Sequence, residues 1–359
     1  MPLLRRRRPH SLVLALGGVL AGTLALTACS SSGGGTAESD AAGTSPAAEA
    51  SEPLVIYSGR SESLVGPLLE QFSEDSGIAT EVRYGDSAEL AAQLVEEGDR
   101  TPADVFLAQD AGALGAVSAA GLFGPVPPAT VELVPPQYSA EDGTWVGVTG
   151  RSRVIAYDAQ QVPEADVPTS VYALTDPKWS GQVAIAPTNA SFQSFVTAMR
   201  LTDGDDKTQA WLQGLVDNDV QTYEKNGLIL DAVNAGQVKL GLVNHYYWYE
   251  KAADVGAEAM RAQIAFSAPG DPGALVNVSG AGILTGGAGE DADAFVAYLL
   301  GTDAQTYFAT ETFEYPLVAG IAAAEGLPAL DSLQGPPVPL ERLEELPATQ
   351  EMLRDVGLI

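Results

Sequence analysis

The sequence predicts an α/β protein of two lobes, each a central, mostly parallel sheet flanked by helices, joined by strands that cross between them. Three observations predict it. From Leu54 onward, β-rich runs alternate with runs at helical spacing, the rhythm of βαβ units. The stretch that carries them is about 300 residues, long enough to bury the cores of two domains. No polar linker divides it, so crossing strands rather than a tether must connect the halves. A cleft between such lobes is the natural ligand site.

The elements follow in order. LVIYSGR, residues 54–60, is a β-rich run ended by glycine. In SLVGPLLEQFSEDSG, Leu64, Leu68, Leu69 and Phe72 recur at helical spacing and Gly77 stops the helix. ATEVRYG, AELAAQLVEEG, ADVFLA and ALGAVSAAG continue as strand, helix, strand and helix. WVGVTG and RVIAYD are expected as consecutive strands that meet at Gly150, Arg151, Ser152 and Arg153. Residues 183–186 form a strand that ends in Pro-Thr-Asn-Ala-Ser, followed by a helix, SFQSFVTAMR, and another over residues 210–216. Residues 220–223 are extended, LILDAVNAG is helical and VKLGLVN is a strand. A helix is expected over residues 249–261, then extended IAFS, the strand VNVSGAGILTG, the helices EDADAFVAYLLG and DAQTYFAT, and a last helix over 340–356 interrupted near Pro347. In sheets of this kind ligands sit at the C-terminal strand ends, which here carry residues 58–62, Asp86, Ser87, Gln109 and Asp110.

Residues 1–28 are expected as a secretion signal, with a basic run at Arg5–Arg8, an apolar run over 12–26 and small residues before Cys29. Cys29 in that position resembles the lipidated cysteine of bacterial lipoproteins. Residues 29–52 hold no large apolar side chain, so they read as a flexible tether. The body then divides into 53–148 plus 276–325 as one lobe and 149–275 plus 326–359 as the other. With Cys29 the single cysteine, no intrachain disulfide forms and stability rests on the core. The formal charge is -29, and without the four leader arginines 14 Lys+Arg face 47 Asp+Glu, or -33. So acidic a chain argues against nucleic acid and anionic lipid as partners.

The densest chemical signal is GLVNHYYWYE, residues 241–250, where His245, Tyr246, Tyr247, Trp248 and Tyr249 crowd between a strand and a helix. Adjacent strand residues face opposite ways, so both phenols reach one point only if the chain turns there. A helix start adds free N–H groups and a partial positive field. A phenol titrates near pH 10, and only a hard, highly charged cation holds it as phenolate at neutral pH. Ferric ion meets that requirement. Zinc would draw on Cys and His, of which the body has only His245, and no EF-hand spacing suits calcium. Two phenolates leave one positive charge on Fe³⁺ for a small anion to cancel, with Arg60, Arg151 and Arg153 at strand ends as its candidate partners. Stacking against an organic ligand, and plain aromatic packing, remain the competing readings of the same residues. An enzyme has little support, with no Gly-x-Ser-x-Gly elbow, no core cysteine and His245 as the body's one possible base.

The ordered set VIYSGRSE, PADVFLAQDAGALGAV, VGVTGRSRVIAY, IAPTNASFQSFV, YEKN, GLVNHYYWY, NVSGAGIL and FEYP resembles the ferric-ion substrate-binding proteins of bacterial ABC transporters, from Leu54 to about Leu330. The resemblance implies a periplasmic-binding-protein-like fold of the second type, which closes its lobes on Fe³⁺ and passes it to a permease driven by an ATPase. It implies a monomer held outside the cell membrane by lipid on Cys29, as in Gram-positive relatives. By the same resemblance Tyr246 and Tyr247 are the iron ligands. Asn226, Asn244 and the segment Thr188, Asn189, Ala190, Ser191 lie near a bound carbonate or phosphate. Three family ligand positions depart from the pattern. Ser61 stands where some members carry a histidine ligand, Gln109 where they carry a glutamate, and Phe192 where some carry a third tyrosine. Glu62 and Asp110, next door, are the candidate replacements. The rival reading on the same fold is a carrier for an organic cation, a polyamine, a phosphate ester or an iron chelate.

Overall fold

The computed structural model describes residues 52–287 and 289–359. The expected signal, the lipidation site Cys29 and the tether up to residue 51 lie outside the described residues. In the first half, β1 (Leu54–Ser58) pairs in parallel with β2 (Thr80–Tyr84) on one side and β3 (Val105–Ala108) on the other. The helices α1 (Glu62–Ser76), α2 (Ser87–Glu97) and α3 (Ala111–Ala119) follow these strands. In α1 the buried residues are Val65, Leu68, Leu69 and Phe72, one face of the helix. Phe72 meets Phe295 edge-on at 5.0 Å. Gly77 ends the helix at φ 74°, a left-handed conformation that glycine adopts without a Cβ clash.

A one-turn α4 (Pro128–Val131) leads to β4 (Trp145–Asp158), on which the two halves of the fold hang. The second half holds β5 (Val183–Ile185), α5 (Ala190–Asp203), α6 (Asp205–Asp217), β6 (Gln221–Thr222), α7 (Asn226–Asn234), β7 (Leu240–Asn244), α8 (Tyr246–Val255) and β8 (Ala262–Ala265). The chain then returns through β9 (Val276–Ile283), α9 (Glu290–Leu299), α10 (Thr302–Thr310) and β10 (Tyr315–Pro316), and ends in α11 (Leu346–Asp355). The strand order is β2-β1-β3-β9-β4-β7-β5-β6, with β8 and β10 also on β4. Each half thus carries its own parallel trio, β2-β1-β3 and β7-β5-β6, while β4 and β9 run antiparallel between them.

Two elements differ from the sequence expectation. The consecutive strands expected on either side of Gly150 are one strand of 14 residues, buried throughout. Its first part pairs with β9 as far as Ser152↔Val276, and its second part takes up β7 from Arg153↔Asn244. The polar run Gly-Arg-Ser-Arg reads as the meeting point of two strands because it breaks the apolar pattern. These residues stay extended because each strand half has a partner ladder, with one register shift between Gly147 and Thr149. The helix expected over 249–261 instead runs Tyr246–Val255 and stops at Gly256, φ 89°. The aromatic cluster disguises its start, since Tyr and Trp favour strands. The C-terminal segment breaks as expected, into a 3-10 turn Leu340–Glu344 and α11. Pro347 falls at the second position of α11, where its missing N–H is not needed.

The first half packs one core around Ile56, Phe106, Leu114, Trp145 and Phe295. The second half packs a core on each face of its sheet, one around Phe192, Phe195 and Leu242, the other around Ile229, Val233 and Val243. Full burial of each such side chain contributes about 1.5–3 kcal/mol. The C-terminal segment touches both halves, with Leu340 and Leu343 in the first core and Met352, Leu353 and Val356 in the second.

Candidate functional site

β7 ends at Asn244, His245 caps the helix start, and Tyr246 and Tyr247 are the first two residues of α8. The turn needed to bring both phenols together is therefore the helix start itself. Tyr246 is 2% exposed and Tyr247 half-buried. Their rings stack with centroids 4.4 Å apart and planes inclined by 27°. His245 is fully engaged in holding this junction. Its backbone N–H donates to the Ser152 carbonyl at 3.0 Å, and the Ser152 N–H donates to Nδ1 at 3.2 Å. Nε2 lies 2.8 Å from the Phe313 carbonyl, which makes it the protonated nitrogen. Burial pushes the imidazole down to about 4, so it is neutral at physiological pH and has no ring nitrogen left for an ion.

The tyrosines face a cleft of about 730 Å³ between the two halves. Arg60, Ser61 and Gln109 line its first wall, and Tyr246, Tyr247 and Glu250 its second. Sequence locates the first wall well, because its residues sit at the C-terminal ends of β1 and β3. Ser87, at the start of α2, fixes those ends together, since its Oγ accepts from the Gln109 N–H at 2.8 Å. Gly59 is required there, as a Cβ on it would lie 2.0 Å from that same Oγ.

The floor is charged and buried. Arg60 Nη2 donates to Glu314 Oε2 at 2.7 Å, and Arg151 Nε lies 3.7 Å from Glu314 Oε1. All three side chains are at most 2% exposed. Glu314 reaches the interior from the α10–β10 turn, where Phe313 takes φ 54°, a left-handed conformation that costs a non-glycine residue about 1–2 kcal/mol. Gln305 holds α10 to the crossing strand, its Nε2 donating to the Val148 carbonyl at 2.9 Å. Burial works against the Arg60 charge, but Glu314 and the phenols outweigh it and raise its pKa. Burial and the neighbouring Arg60 lower that of Arg151, none of whose guanidinium nitrogens has a hydrogen-bond partner. Burial, then the closeness of Tyr247, pushes the Tyr246 phenol well above its usual value, against the pull of Arg151 and Arg60. Glu250, one turn along α8, is pushed up to about 7 by burial and by Glu314.

Beside this floor the residues expected to border an anion gather at the start of α5. Arg153 Nη2 donates to Ser191 Oγ at 3.0 Å, and Asn226 Nδ2 lies 3.2 Å from both Ser191 Oγ and Asn189 Oδ1. Asn189 caps the helix by accepting from the Ser191 N–H at 3.1 Å. Ala190 is the first helical residue, and Thr188 is exposed just before it. Asn244 is buried with its Nδ2 unpartnered, as is Nδ2 of Asn277 on β9. Burial lowers the Arg153 pKa to about 10, which still leaves it charged at neutral pH.

The other candidates are not brought to the phenols. Glu62 is exposed on the first turn of α1, its stem 3.5 Å from where a Cβ on Gly66 would lie. Asp110 is 1% exposed and caps α3 through the Ala113 N–H, while Ser194 Oγ donates to it at 3.2 Å. Phe192 is wholly buried in the second-half core. Sequence reasoning missed Glu250, Glu314 and Asn277. Glu250 carried a usable signal, its spacing of three and four residues from the tyrosines on one helix. Among the described residues no group of three or more His, Cys, Asp or Glu is placed to hold a metal. The carboxylates that line the cleft are Glu250, Asp254 and Glu311, of which Glu250 is nearer along α8 to the phenols than Asp254.

A family model described as bacterial extracellular solute-binding protein matches residues 100–334. The chain is 35% identical over 315 residues to an Fe(3+)-binding periplasmic protein of Serratia marcescens, covering 87% of this chain and 93% of that protein. It is 32% identical to a major ferric iron-binding protein of Neisseria meningitidis serogroup B, covering 89% and 97% respectively. Among solved structures, iron-bound HitA from Pseudomonas aeruginosa superposes with a TM-score of 0.81 at 33% identity, covering 85% of this chain and 99% of the other.

Proposed function

Because the chain belongs to the bacterial extracellular solute-binding proteins, among periplasmic ferric-ion-binding relatives, we propose that it captures Fe³⁺ in its cleft through Tyr246 and Tyr247 and delivers it to an ABC permease driven by an ATPase. The observation that carries this reading is the stacked phenol pair at the mouth of a buried cationic floor. Such a floor lowers the cost of forming phenolate, and a trivalent ion supplies the rest of the driving force. Each phenol loses its proton on binding. Carbonate or phosphate then seats against Arg153, Ser191, Asn226 and Asn244, with Arg60 and Arg151 beyond.

Residues 53–148 with 276–325 act as one lobe and 149–275 with 326–359 as the other. Ser61 and Gln109 from the first lobe close over the ion. The protein works outside the cytoplasm, as its periplasmic relatives do, as a monomer held to the membrane by lipid on Cys29 and a flexible leash. No helix among the described residues is long and apolar enough to cross a membrane.

The test is loading with Fe³⁺ in bicarbonate or phosphate, followed by metal analysis and a visible spectrum. A bound ion gives an orange-to-red phenolate charge-transfer band at one iron per chain. A colourless protein, or one whose band survives Tyr246→Phe with Tyr247→Phe, overturns the reading.

A further inference from the structure

The first wall offers an incoming ion the neutral side chains of Ser61, Ser63 and Gln109 beside the cation Arg60, with Glu311 at its exposed rim. Two phenolates leave a trivalent ion one charge short of neutral. The carboxylates nearby are mostly committed. Glu314 Oε2 accepts from Arg60 at 2.7 Å and from Thr312 Oγ1 at 3.1 Å. Asp110 caps α3, and Glu311 accepts from Thr310 at the exposed rim. Asp254 lines the cleft eight residues beyond Tyr246, roughly 12 Å along the helix axis.

Glu250 is different. It follows Tyr246 by four residues and Tyr247 by three, so it stands on their side of α8, about 6 Å along the axis from Tyr246. It lines the same cleft, and its Oε1 is shielded from solvent with no hydrogen-bond partner. A buried carboxylate oxygen left without a donor costs free energy, and a hard cation at the phenols would satisfy it.

Taking the ferric reading above as given, we propose that Glu250 is a third protein ligand to the ion, so that α8 alone supplies two phenolates and a carboxylate. Three negative oxygens from one helix turn cancel Fe³⁺ completely. The small anion is then left to fill remaining coordination positions and to meet the buried arginines. Capture therefore depends on the second wall, and the neutral residues of the first wall need not coordinate. The positions where the family resemblance implies histidine and glutamate are thus replaced by a residue on the opposite side of the cleft.

The experiment compares the wild-type chain with Glu250→Gln and Glu250→Asp. Each is loaded with ferric nitrilotriacetate in bicarbonate, then challenged with citrate, and the visible band is recorded throughout. Loss of an anionic donor makes the iron a stronger electron acceptor. The band of Glu250→Gln is therefore expected at longer wavelength, and citrate should strip its iron on the order of 100-fold more readily. Glu250→Asp, with the charge on a shorter arm, should fall between the two. Glu250→Gln keeps the size of a partly exposed side chain, and matching thermal unfolding of the iron-free proteins checks its fold. A wild-type band with an unchanged Glu250→Gln band and citrate resistance overturns this proposal alone. A wild type with no band at all overturns the ferric reading, and the proposal with it.

Discussion

The two walls of the cleft are built to opposite specifications. The first, from the β1–α1 turn and the end of β3, presents Ser61 and Gln109, while its nearest carboxylates point elsewhere, Glu62 to solvent and Asp110 into a helix cap. The second, from the first turn of α8, presents two stacked phenols and a carboxylate with a free oxygen. The difference teaches that recognition and enclosure are separable. On the proposed reading, one wall supplies the donors that choose the ion, and the other supplies Arg60 and a surface to cover it.

The largest test of that asymmetry removes the second wall's donors. Tyr246→Phe with Tyr247→Phe should abolish the coloured complex and weaken iron binding by more than about 1000-fold, on the order of 4 kcal/mol, read by chelator competition. Next is the link beneath both walls. Glu314→Ala leaves Arg60 and Arg151 buried with no counter-charge, and should destabilise the iron-free protein by about 3–5 kcal/mol in denaturant unfolding. Acid comes third. Binding displaces the phenolic protons, so protons compete with iron and affinity falls as pH falls, by up to about 100-fold per unit when two protons are displaced per ion. Equilibrium dialysis across pH 5 to 8 checks the slope, and a flat profile would mean the phenols do not ligate. The smallest effect belongs to the first wall. Gln109→Glu gives it a carboxylate and should tighten iron binding by about 10-fold, or 1.4 kcal/mol. A gain as large as the loss from the tyrosine pair would erase the asymmetry.

Much of this architecture is legible in the residues. Helical spacing from Leu64 to Phe72 and the stop at Gly77 locate α1 as observed, because both signals are local. A turn between strand and helix within the aromatic cluster is legible too, though the helix starts three residues earlier than expected, at Tyr246. The continuity of β4 is not. Charged Arg151 and Arg153 look like a break between two strands until their neighbours are known, and those neighbours are remote, as in the Arg60–Glu314 pair 254 positions apart. Glu314 was hidden by abundance. Among 47 acidic residues, nothing in one-dimensional spacing marks the carboxylate that ends up buried beneath two arginines.

The uninterrupted course of β4 has a mechanical corollary. A strand that trades its β9 ladder for a β7 ladder between Ser152 and Arg153 contains no slack loop at that crossing. The compliant coordinate left is torsion spread over a few peptides of a stiff ribbon. His245 grips the backbone of Ser152 at that spot, and Arg151 and Arg153 flank it. On the proposed reading, opening the cleft would twist this ribbon beside the residues that carry the positive charge, and so redistribute the field around the captured ion.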